Sequence, residues 1–531
     1  MRFNSRLLTG FVAGVTSVAV ATSGLPVAGA ASFEVLTKPY AAPTAAPQDV
    51  VLQVGTDEAS VNLNWITAAG VSGQSVQFAP KGTALAEGQT VAAASTDSAL
   101  NITEGYKDEA PEAYAEAATH KATLSGLAEN TEYAYRVGSD KDGWSQEYTF
   151  NTGTYGEEWN FVFVGDPQLY VTHDLDKETA SWDAAVTKAV AQGPSASFIL
   201  SAGDQSNCSN MQENSGFISP DAMRSTRVAV NKGNHEMSDE NTYNATYNRP
   251  NDTDGNYWYE YNNALVVSLD SNSWEDLNED IDWLRTTVKE QGADKDWVIL
   301  TYHHSSFSQA YHMEDRQIEW WRDNLTPVIS ELDIDLVLGG HDHIYTRSHL
   351  MRGYEPVNNQ HEAKSGETIA KEPGEVQYVA MNSSSGSKFY QFYDYKAQKR
   401  DEDVAGDFTT SNEEKTIRDY TAIWDQDESP DFANVSITPD ALTYKVTDAW
   451  TGETEDEFTL TKAAATDNDD HNGNNKSSDA SSISSKGADA NGSSTGGIVA
   501  LVLAILAAIG GGAFAAFNGM IPGLKLPNIK F

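Results

Sequence analysis

The chain has 531 residues, too many for one hydrophobic core, so its length predicts two to four folded units. It carries 77 Asp and Glu residues against 35 Lys and Arg, which gives a formal charge of -42. So negative a chain repels nucleic acid and anionic membrane surfaces, and this excludes proteins whose function is to bind them. The single cysteine, Cys208, excludes an intramolecular disulfide framework and a zinc site built from thiolates.

The first 30 residues have the pattern of a secretory signal. Arg2 and Arg6 precede an apolar run from Leu7 to Val20, and Ala28-Gly29-Ala30 supplies the small residues of a cleavage site. We therefore predict a signal peptide over residues 1–30 that is cut after Ala30. An uncleaved N-terminal membrane anchor is the alternative.

Residues 40–154 alternate short apolar strands with turn residues. The candidate strands are Val50–Val54, Val61–Ile66, Ser75–Phe78, Ala122–Leu124, Glu132–Val137 and Glu147–Phe150. Such alternation over about a hundred residues favours an antiparallel β-sandwich, with Trp65 and Tyr135 as candidate core residues. Because this segment has no cluster of histidines or carboxylates, we predict a structural role for it.

Residues 158–462 alternate apolar strands with helical stretches. The candidate strands are Asn160–Val164, Ser197–Leu200, Arg227–Val230, Leu265–Leu269, Trp297–Thr301 and Leu336–Leu338, and the candidate helices are Asp176–Gln192, Glu275–Gln291 and Asp315–Leu332. Strands that alternate with helices favour a layered α/β domain.

The C-terminal part contains a polar linker and an apolar run. Residues 463–496 are rich in Asp, Asn, Ser and Gly and cannot bury enough apolar surface to fold, so we predict a disordered linker. Residues 497–517 form an uncharged run of about 20 residues, the length of a transmembrane helix. Lys525 and Lys530, in the tail of residues 518–531, would stay on the cytoplasmic side, which predicts that residues 31–496 face the outside of the cell membrane.

Five polar motifs follow apolar strands in the α/β segment. They are Gly165-Asp166-Pro167-Gln168, Gly203-Asp204-Gln205-Ser206-Asn207, Gly233-Asn234-His235-Glu236, Tyr302-His303-His304-Ser305 and Gly340-His341-Asp342-His343. The loops after such strands carry the chemistry of α/β proteins. A ligand set of carboxylate, carboxamide and imidazole without thiolate suits Fe, Mn or Zn. The sequence therefore predicts a metal centre.

In this order the five motifs resemble those of the calcineurin-like metallophosphoesterases, and more closely those of the purple acid phosphatases. The latter also begin with a fibronectin type III-like domain, and the resemblance covers roughly residues 47–462. It implies a four-layer αββα catalytic domain and two metal ions bridged by Asp204. One ion would bind Asp166, Asp204 and His343, and the other Asp204, Asn234, His303 and His341. His303 is preferred to His304 as a ligand because it follows the strand directly, which leaves His304 beside the ligands.

Two positions depart from the family pattern. Purple acid phosphatases have a tyrosine where this chain has Asn207, and the wider superfamily has a histidine where this chain has Gln168. The first metal therefore lacks one expected ligand, which Gln168, Asn207, water or Tyr170 could replace. We predict that the protein has no tyrosinate-to-iron absorption, and the identity of the metals stays open.

The resemblance implies a metal-dependent phosphoric ester hydrolase of the acid phosphatase type, in which metal-activated hydroxide attacks a phosphate monoester. His235 would contact the phosphate or assist the transfer, with Glu236 orienting it. His312 would protonate the leaving group, although an ordinary loop histidine is the alternative. Arg347, in a Tyr-x-Arg motif, is expected to form a salt bridge in the wall of the site.

Three functions remain open from the sequence. The leading one is an extracellular, membrane-anchored phosphatase that acts on phosphorylated small molecules, with the membrane as partner through the C-terminal helix and no nucleic acid binding. A phosphodiesterase or nucleotide hydrolase would use the same site. A catalytically impaired cell-surface binding protein is the third possibility, and Gln168 and Asn207 are the residues that favour it.

Overall fold

A computed structural model of the protein describes residues 42–103, 112–192, 195–272, 277–394, 399–400 and 417–463. The predicted signal peptide, linker, transmembrane segment and cytoplasmic tail lie outside these ranges. Within them, none of the helices combines the length and the apolar composition needed to cross a membrane.

The N-terminal part of the described chain is built from strands. They are β1 (Gln48–Val54), β2 (Val61–Ala68), β3 (Ser75–Pro80), β4 (Gln89–Ala92), β5 (Ala94–Asn101), β6 (Tyr114–Leu124), β7 (Glu132–Ser139), β8 (Gly143–Trp144) and β9 (Tyr148–Asn151). The predicted β architecture is confirmed, and both Trp65 and Tyr135 are fully buried in one apolar core. The sequence pattern missed β4 and β5 because their side chains are mostly polar and exposed.

The second part alternates strands with helices. It begins with β10 (Trp159–Val164), α1 (Leu175–Ala191), β11 (Phe198–Ser201), α2 (Met211–Ile218), α3 (Ala222–Ser225), β12 (Arg227–Val230), α4 (Glu240–Thr246), β13 (Tyr257–Tyr261), β14 (Ala264–Ser268), α5 (Leu277–Gln291), β15 (Trp297–His304), α6 (Arg316–Glu331) and β16 (Leu336–Gly340). The predicted α/β alternation is confirmed, and the three predicted helices correspond to α1, α5 and α6. The N-terminus of α1 is capped by Asp174, whose carboxylate accepts the N–H of Lys177.

The remainder of the described chain is mostly strand. It contains β17 (Tyr345–Ser348), β18 (Met351–Arg352), β19 (Glu355–Pro356), β20 (Glu367–Lys371), β21 (Gln377–Ala380), β22 (Tyr393–Asp394), β23 (Lys399–Arg400), β24 (Thr421–Asp425), β25 (Asp431–Ile437), β26 (Ala441–Asp448) and β27 (Thr454–Lys462). The described chain also contains short 3₁₀ helices over Leu85–Glu87, Glu236–Ser238 and Tyr311–Glu314.

Two large sheets pack face to face and make the catalytic part a layered structure. One has the order β20-β27-β26-β25-β10-β11-β12-β1-β2-β6-β5, and the other has the order β13-β14-β15-β16-β21-β17-β24. Phe161 and Leu338 belong to the core between the sheets. Trp182 of α1 packs on the outer face of the first sheet, and Trp321 of α6 packs on that of the second. The order helix, sheet, sheet, helix agrees with the predicted αββα arrangement.

The strands that precede the five motifs run parallel within each sheet. Strand β10 pairs with β11 and β11 with β12, while β15 pairs with β16 in the second sheet. Parallel strands deliver their carboxyl ends to one edge of a sheet. The packing of the two sheets therefore gathers loops from both at one place.

The N-terminal strands continue the catalytic sheet directly. Strand β1 pairs in parallel with β12, with Gln53 opposite Val228. The sequence predicts a sandwich with its own sheets, and a pairing between residues so far apart in the chain has no local signal. Side-chain contacts strengthen the junction, since the Tyr135 hydroxyl donates to the Arg224 carbonyl at 2.8 Å.

The segment from Asn244 to Trp258, rich in Tyr, Asn and Asp, lies against the N-terminal strands. The Lys121 ammonium donates to the carbonyl oxygens of Asn244 and Tyr247 at 2.8 and 2.6 Å. The Asn62 side chain donates to the carbonyl of Asn248 at 2.8 Å. These contacts place the segment at the junction of the two parts.

Candidate metal centre

Glycines bring the motif loops close enough for their side chains to meet. A Cβ atom on Gly340 would lie 2.0 Å from Asp166 Oδ1, and one on Gly233 would lie 2.0 Å from Asp204 Oδ1. Real Cβ atoms do not approach other atoms so closely, so only glycine fits at these two positions. Glycine at these positions is therefore required for the polar side chains of the motif loops to come together.

Asp166, Asp204 and His343 form one group of possible ligands. One ligand atom from each lies within 4.8 Å of the others, and all three side chains are buried. His343 Nε2 is 3.3 Å from Asp166 Oδ2. Its Nδ1 is 3.0 Å from the Lys388 carbonyl, so Nδ1 carries the proton and Nε2 presents its lone pair to the group.

Asp204, His303 and His341 form a second group, again within 4.8 Å. His303 Nε2 lies 3.2 Å from Asp204 Oδ2, and its Nδ1 lies 3.0 Å from the Ala202 carbonyl. Asn234 Oδ1 is 3.0 Å from both His303 Nε2 and His341 Nδ1. The two groups share Asp204, which is the position that a bridging carboxylate would occupy.

The backbone at the cluster is strained. Asp204, His341 and His343 have φ values of 46°, 71° and 45°, and Gln168 has a φ of 36°. Residues other than glycine adopt positive φ rarely, at a cost of order 1–3 kcal/mol each, and such strain concentrates at functional sites. The strained residues here are those that the sequence selects as ligands or as a replacement ligand.

Burial and mutual charge shift the pKa values of the clustered side chains. Burial raises the pKa of Asp166 to about 7, against the opposing field of His303. For Asp204 burial acts in the same upward direction, but His303 and His235 outweigh it and lower its pKa. Burial lowers the pKa of His341 and of His343 well below the usual range of histidine. Neutral imidazoles and ionised carboxylates are the forms that bind metal.

A chain of hydrogen bonds joins Gln168, Asn207 and His235. The Gln168 amide donates to Asn207 Oδ1 at 3.0 Å and to His235 Nε2 at 2.8 Å. His235 Nδ1 in turn lies 2.7 Å from the Asn207 carbonyl. Because the Gln168 nitrogen makes both contacts, its buried oxygen Oε1 is left without a hydrogen-bond partner. Gln168 is thus the better placed of the two unusual residues to replace the missing ligand.

Glu236 organises the Asp204 loop. Its carboxylate accepts the backbone N–H groups of Asp204, Gln205, Ser206 and Gly233 at 2.8 to 3.4 Å. The expectation that Glu236 orients the His235 imidazole is wrong, since these four bonds account for its carboxylate. The side chain instead fixes the loop that presents Asp204.

His304 and His312 lie on either side of His341. The ring centres of His304 and His341 are 4.5 Å apart, and those of His312 and His341 are 4.4 Å apart. His304 Nδ1 bonds to Ser271 Oγ at 2.7 Å, which leaves His303 as the histidine against Asp204. His312 Nδ1 lies 2.6 Å from Asp315 Oδ2. No motif around His312 indicates this carboxylate partner.

Arg347 lies in the wall of the fold and not among the ligands. Its fully buried guanidinium pairs with Glu367 and Asp456, each at 2.8 Å. This is the salt-bridging role that the sequence predicted for it. Tyr170, the other suggested replacement ligand, packs its ring 5.3 Å from that of His173.

The loop after β21 supplies site residues that the motifs do not reveal. Lys388 orients His343 through its carbonyl, and its ammonium lies 4.8 Å over the ring of Tyr390. Tyr390 is 5.0 Å from His343 and 5.2 Å from His312, measured between ring centres. Burial lowers the pKa of Lys388, although Asp204 and Asp166 oppose the shift. The loop follows an apolar strand, but Lys388 and Tyr390 lie well beyond the residues that directly follow that strand, so a search of strand ends does not reach them.

The residues present fit two metal ions. Asp166 Oδ1 is fully buried and has no hydrogen-bond partner, as expected of an oxygen reserved for a cation. The donor set is oxygen and imidazole nitrogen, with each of His303 and His343 held by a backbone carbonyl on its other nitrogen.

Two family models match consecutive parts of the chain. Residues 47–152 match the purple acid phosphatase N-terminal domain, and residues 160–345 match the calcineurin-like phosphoesterase domain. Residues 160–345 of the chain therefore form a calcineurin-like phosphoesterase domain. No curated protein sequence matched this phosphoesterase.

Three solved structures are similar to the chain. The phosphoesterase is similar to purple acid phosphatase PPD1 from yellow lupin (Lupinus luteus) seeds, with a TM-score of 0.61 and 14% identity over 78% of this chain and 74% of that one. It also matches PhoD, with a TM-score of 0.47 and 12% identity over 81% of this chain and 95% of that one. A dimetal phosphatase from Danio rerio matches with a TM-score of 0.34 and 12% identity, over 57% of this chain and 98% of that one. The first similarity supports the fold.

Family and geometry agree on the class of enzyme. The phosphoesterase is a metal-dependent phosphoester hydrolase with a dinuclear metal site of the kind typical of its family.

Proposed function

We propose that this phosphoesterase hydrolyses phosphate monoesters at the outer face of the cell membrane. The observation that carries the proposal is the sharing of Asp204 between two groups of buried or partly buried ligands, with His312 beside the second group. Asp166, Asp204 and His343 would hold one metal ion, and Asp204, Asn234, His303 and His341 the other. When bound, the two ions supply Lewis acidity that lowers the pKa of water and neutralises the charge of the phosphate.

The chain itself supplies groups for the phosphate. The Asn207 carbonyl holds the proton of His235 on Nδ1, so that Nε2 points toward Gln168 and lies 3.8 Å from Asp204 Oδ2. Lys388 adds a half-buried ammonium within the field of Asp166 and Asp204. Of the two side chains, Lys388 is placed to bind a phosphate with its oxygens toward the ligand cluster, whereas His235 Nε2 accepts the Gln168 amide and holds that side chain.

His312 is placed to deliver a proton to the leaving group. Asp315 Oδ2, at 2.6 Å from Nδ1, fixes the orientation of the imidazole and stabilises its charged form, in which Nε2 also carries a proton. A carboxylate partner of this kind distinguishes His312 from an ordinary loop histidine. We therefore assign the transferred proton to His312 Nε2.

The test is turnover of two related esters by the full-length protein purified in detergent. Metal-free protein is loaded in turn with Fe, Mn and Zn and assayed on p-nitrophenyl phosphate and on bis(p-nitrophenyl) phosphate. The proposal expects the monoester to be preferred with at least one metal. Faster turnover of the diester would replace it with a phosphodiesterase, and no turnover with any metal would favour a binding protein.

The location rests on the sequence of the two ends. The apolar run of residues 497–517 follows a polar linker and precedes Lys525 and Lys530, the order expected for an anchor with its tail inside. Protease added to intact cells should release the folded part from the membrane. Recovery of the folded part only after cell lysis would contradict this location.

A further inference from the structure

A second cluster of carboxylates lies away from the dinuclear site, where β24, β25 and β27 meet. One carboxylate oxygen from each of Asp425, Asp427 and Glu455 lies within 4.8 Å of the others. The side chain of Asp431, the first residue of β25, contacts Glu455 and is completely buried. We call these four residues the acidic cluster.

Two oxygens of this cluster lack donors, although Asp427 Oδ1 accepts the N–H and the hydroxyl of Ser429 at 2.9 and 2.7 Å. Asp431 Oδ2 accepts the Asn382 amide at 2.9 Å, but Asp431 Oδ1 and Glu455 Oε2 are buried with no N–H or O–H group to bond. Among the residues that the structure describes, no lysine, arginine or histidine forms an ion pair with Asp431 or Glu455. The cations on neighbouring strands are engaged elsewhere, Arg347 with Asp456 and Lys445 with Glu457.

Buried carboxylates without a partner are costly, and a protein resolves the cost with a proton or with a cation. Burial and the negative charge of Asp431 and Asp425 raise the pKa of Glu455 to about 11, so the cluster favours added positive charge. Asp427 is exposed and opens the cluster to solvent, so an ion can reach it.

We infer that Asp425, Asp427, Asp431 and Glu455 bind one calcium ion. The ligands are carboxylate oxygens only, the set that hard cations prefer, whereas the iron, manganese and zinc expected at the dinuclear site are matched there by imidazoles. Calcium takes six to eight oxygens in flexible geometry, so four carboxylates and water suffice. Magnesium demands a stricter octahedron and holds its water more firmly, which makes it the weaker candidate.

The acidic cluster is linked to the dinuclear site through two short paths. Gln426, between two of its members, donates its amide to the His343 carbonyl at 2.6 Å and to the Tyr390 carbonyl at 2.9 Å. On the other side Asn382 bonds to Asp431, and the adjacent Ser383 hydroxyl donates to the Asp166 carbonyl at 2.9 Å. A calcium ion in the cluster would therefore hold the loops that carry His343 and Asp166.

The test is the thermal unfolding of the full-length protein, loaded at the dinuclear site, with and without millimolar calcium chloride. We expect calcium to raise the melting temperature by roughly 2–5 °C, because an ion that binds only the folded state stabilises it. Glu455→Gln should abolish the rise. The change removes one negative charge from the closely spaced pair Asp431 and Glu455. In EDTA the variant should therefore melt at the temperature of the wild type or above it, and this result would show that the variant folds.

Two controls locate the ion. Asp440→Asn removes an exposed carboxylate outside the cluster and should keep the full calcium response. Asp204→Asn removes the shared ligand of the dinuclear site and should also keep it. Terbium luminescence excited through tryptophan, with Trp424 adjacent to Asp425, should appear in the wild type and in Asp204→Asn but not in Glu455→Gln.

The inference fails if calcium leaves the wild type unchanged, since the carboxylates then share a proton instead. It also fails if Glu455→Gln responds like the wild type, or if only Asp204→Asn loses the response. None of these readouts depends on phosphatase activity. Failure of the proposed function would therefore leave the test of the calcium site intact, and failure of the calcium site would leave the proposed function standing.

Discussion

Asp315 places a carboxylate oxygen 2.6 Å from Nδ1 of His312, and the ring of His312 lies 4.4 Å from that of His341. A proton donor speeds the reaction only of those esters whose leaving group must be protonated as it departs. A comparison of esters with good and poor leaving groups therefore distinguishes a proton donor from a residue that only packs against the site.

Replacing His312 by Ala should lower kcat on phenyl phosphate by about 100-fold and on p-nitrophenyl phosphate by less than about 10-fold. The nitrophenolate is a good leaving group and departs without protonation, whereas phenolate does not. Steady-state kinetics on both esters measure the difference. His361→Ala, at an exposed histidine paired with Glu367, is the control and should change neither rate. Equal losses on both esters would assign His312 a structural role.

Replacing Asp315 by Asn should lower kcat on phenyl phosphate by about 10-fold and leave kcat on p-nitrophenyl phosphate nearly unchanged. Asp315 holds the His312 imidazole in one orientation through a contact of 2.6 Å, and only the ester with the poor leaving group needs the proton that this orientation delivers. Steady-state kinetics on both esters measure the difference. Equal losses on both esters would mean that Asp315 only stabilises the loop.

Replacing Asp204 by Asn should remove both transition metal ions, because this carboxylate belongs to both ligand groups. Replacing His343 by Ala should remove one ion, since His343 belongs to a single group. Elemental analysis of the purified proteins for iron, manganese and zinc counts the ions. Retention of one full equivalent by Asp204→Asn would show that Asp204 does not bridge.

Replacing Gln168 by Leu should weaken metal binding at the Asp166 and His343 group by roughly 10-fold, because it removes the free oxygen Oε1 at similar volume. Replacing Gln168 by His should preserve or raise the affinity, since histidine supplies a nitrogen ligand and tolerates positive φ. Competition with EDTA measures both. If the two variants behave like the wild type, another group completes the metal site.

His120 should make the N-terminal part less stable at acid pH. Burial lowers the pKa of His120 to about 4, although Asp97 and Asp142 oppose the shift, and two hydroxyls bond its nitrogens at 2.7 and 2.8 Å. The unfolded chain binds the proton near pH 6.5, so the stability is complete above that pH and is lost as the pH falls toward 4. The loss should amount to about 2 kcal/mol.

Denaturant unfolding from pH 7 to pH 5 of the wild type and of His120→Gln checks the sign. The variant cannot gain the proton, so its stability should fall less steeply over this range. His361→Gln, at an exposed histidine, should follow the wild type. A steeper fall in His120→Gln would contradict the assignment.

The sequence predicted the strand ends well because each combines an apolar run with a metal-binding side chain, and in four of the five motifs a glycine stands between them. His303 was preferred to His304 on the ground that it follows the strand, but β15 includes both residues. Successive side chains of a strand point to opposite faces, so only His303 faces Asp204, at 3.2 Å. Glu236 was assigned the wrong partner, because its backbone contacts depend on how the Asp204 loop folds back. Lys388 and Asp315 had no signal, since they lie in loops whose position depends on the packing of both sheets.

The pairing that joins the two parts also could not be predicted from local sequence patterns. Gln53 and Val228 are neighbours only after the strands around each have formed, and neither residue type indicates a partner in another segment. The polar strands β4 and β5 were missed because propensity is weak where one face is exposed to solvent.

The pairing of β1 with β12 has a consequence for any shortened form of the protein. Without β1, the backbone N–H and C=O groups along one side of β12 would face water, and an open strand edge recruits strands from other molecules. The N-terminal part thus protects the catalytic part against aggregation, whatever else it contacts. This cover gives the N-terminal part a structural role in front of the phosphoesterase.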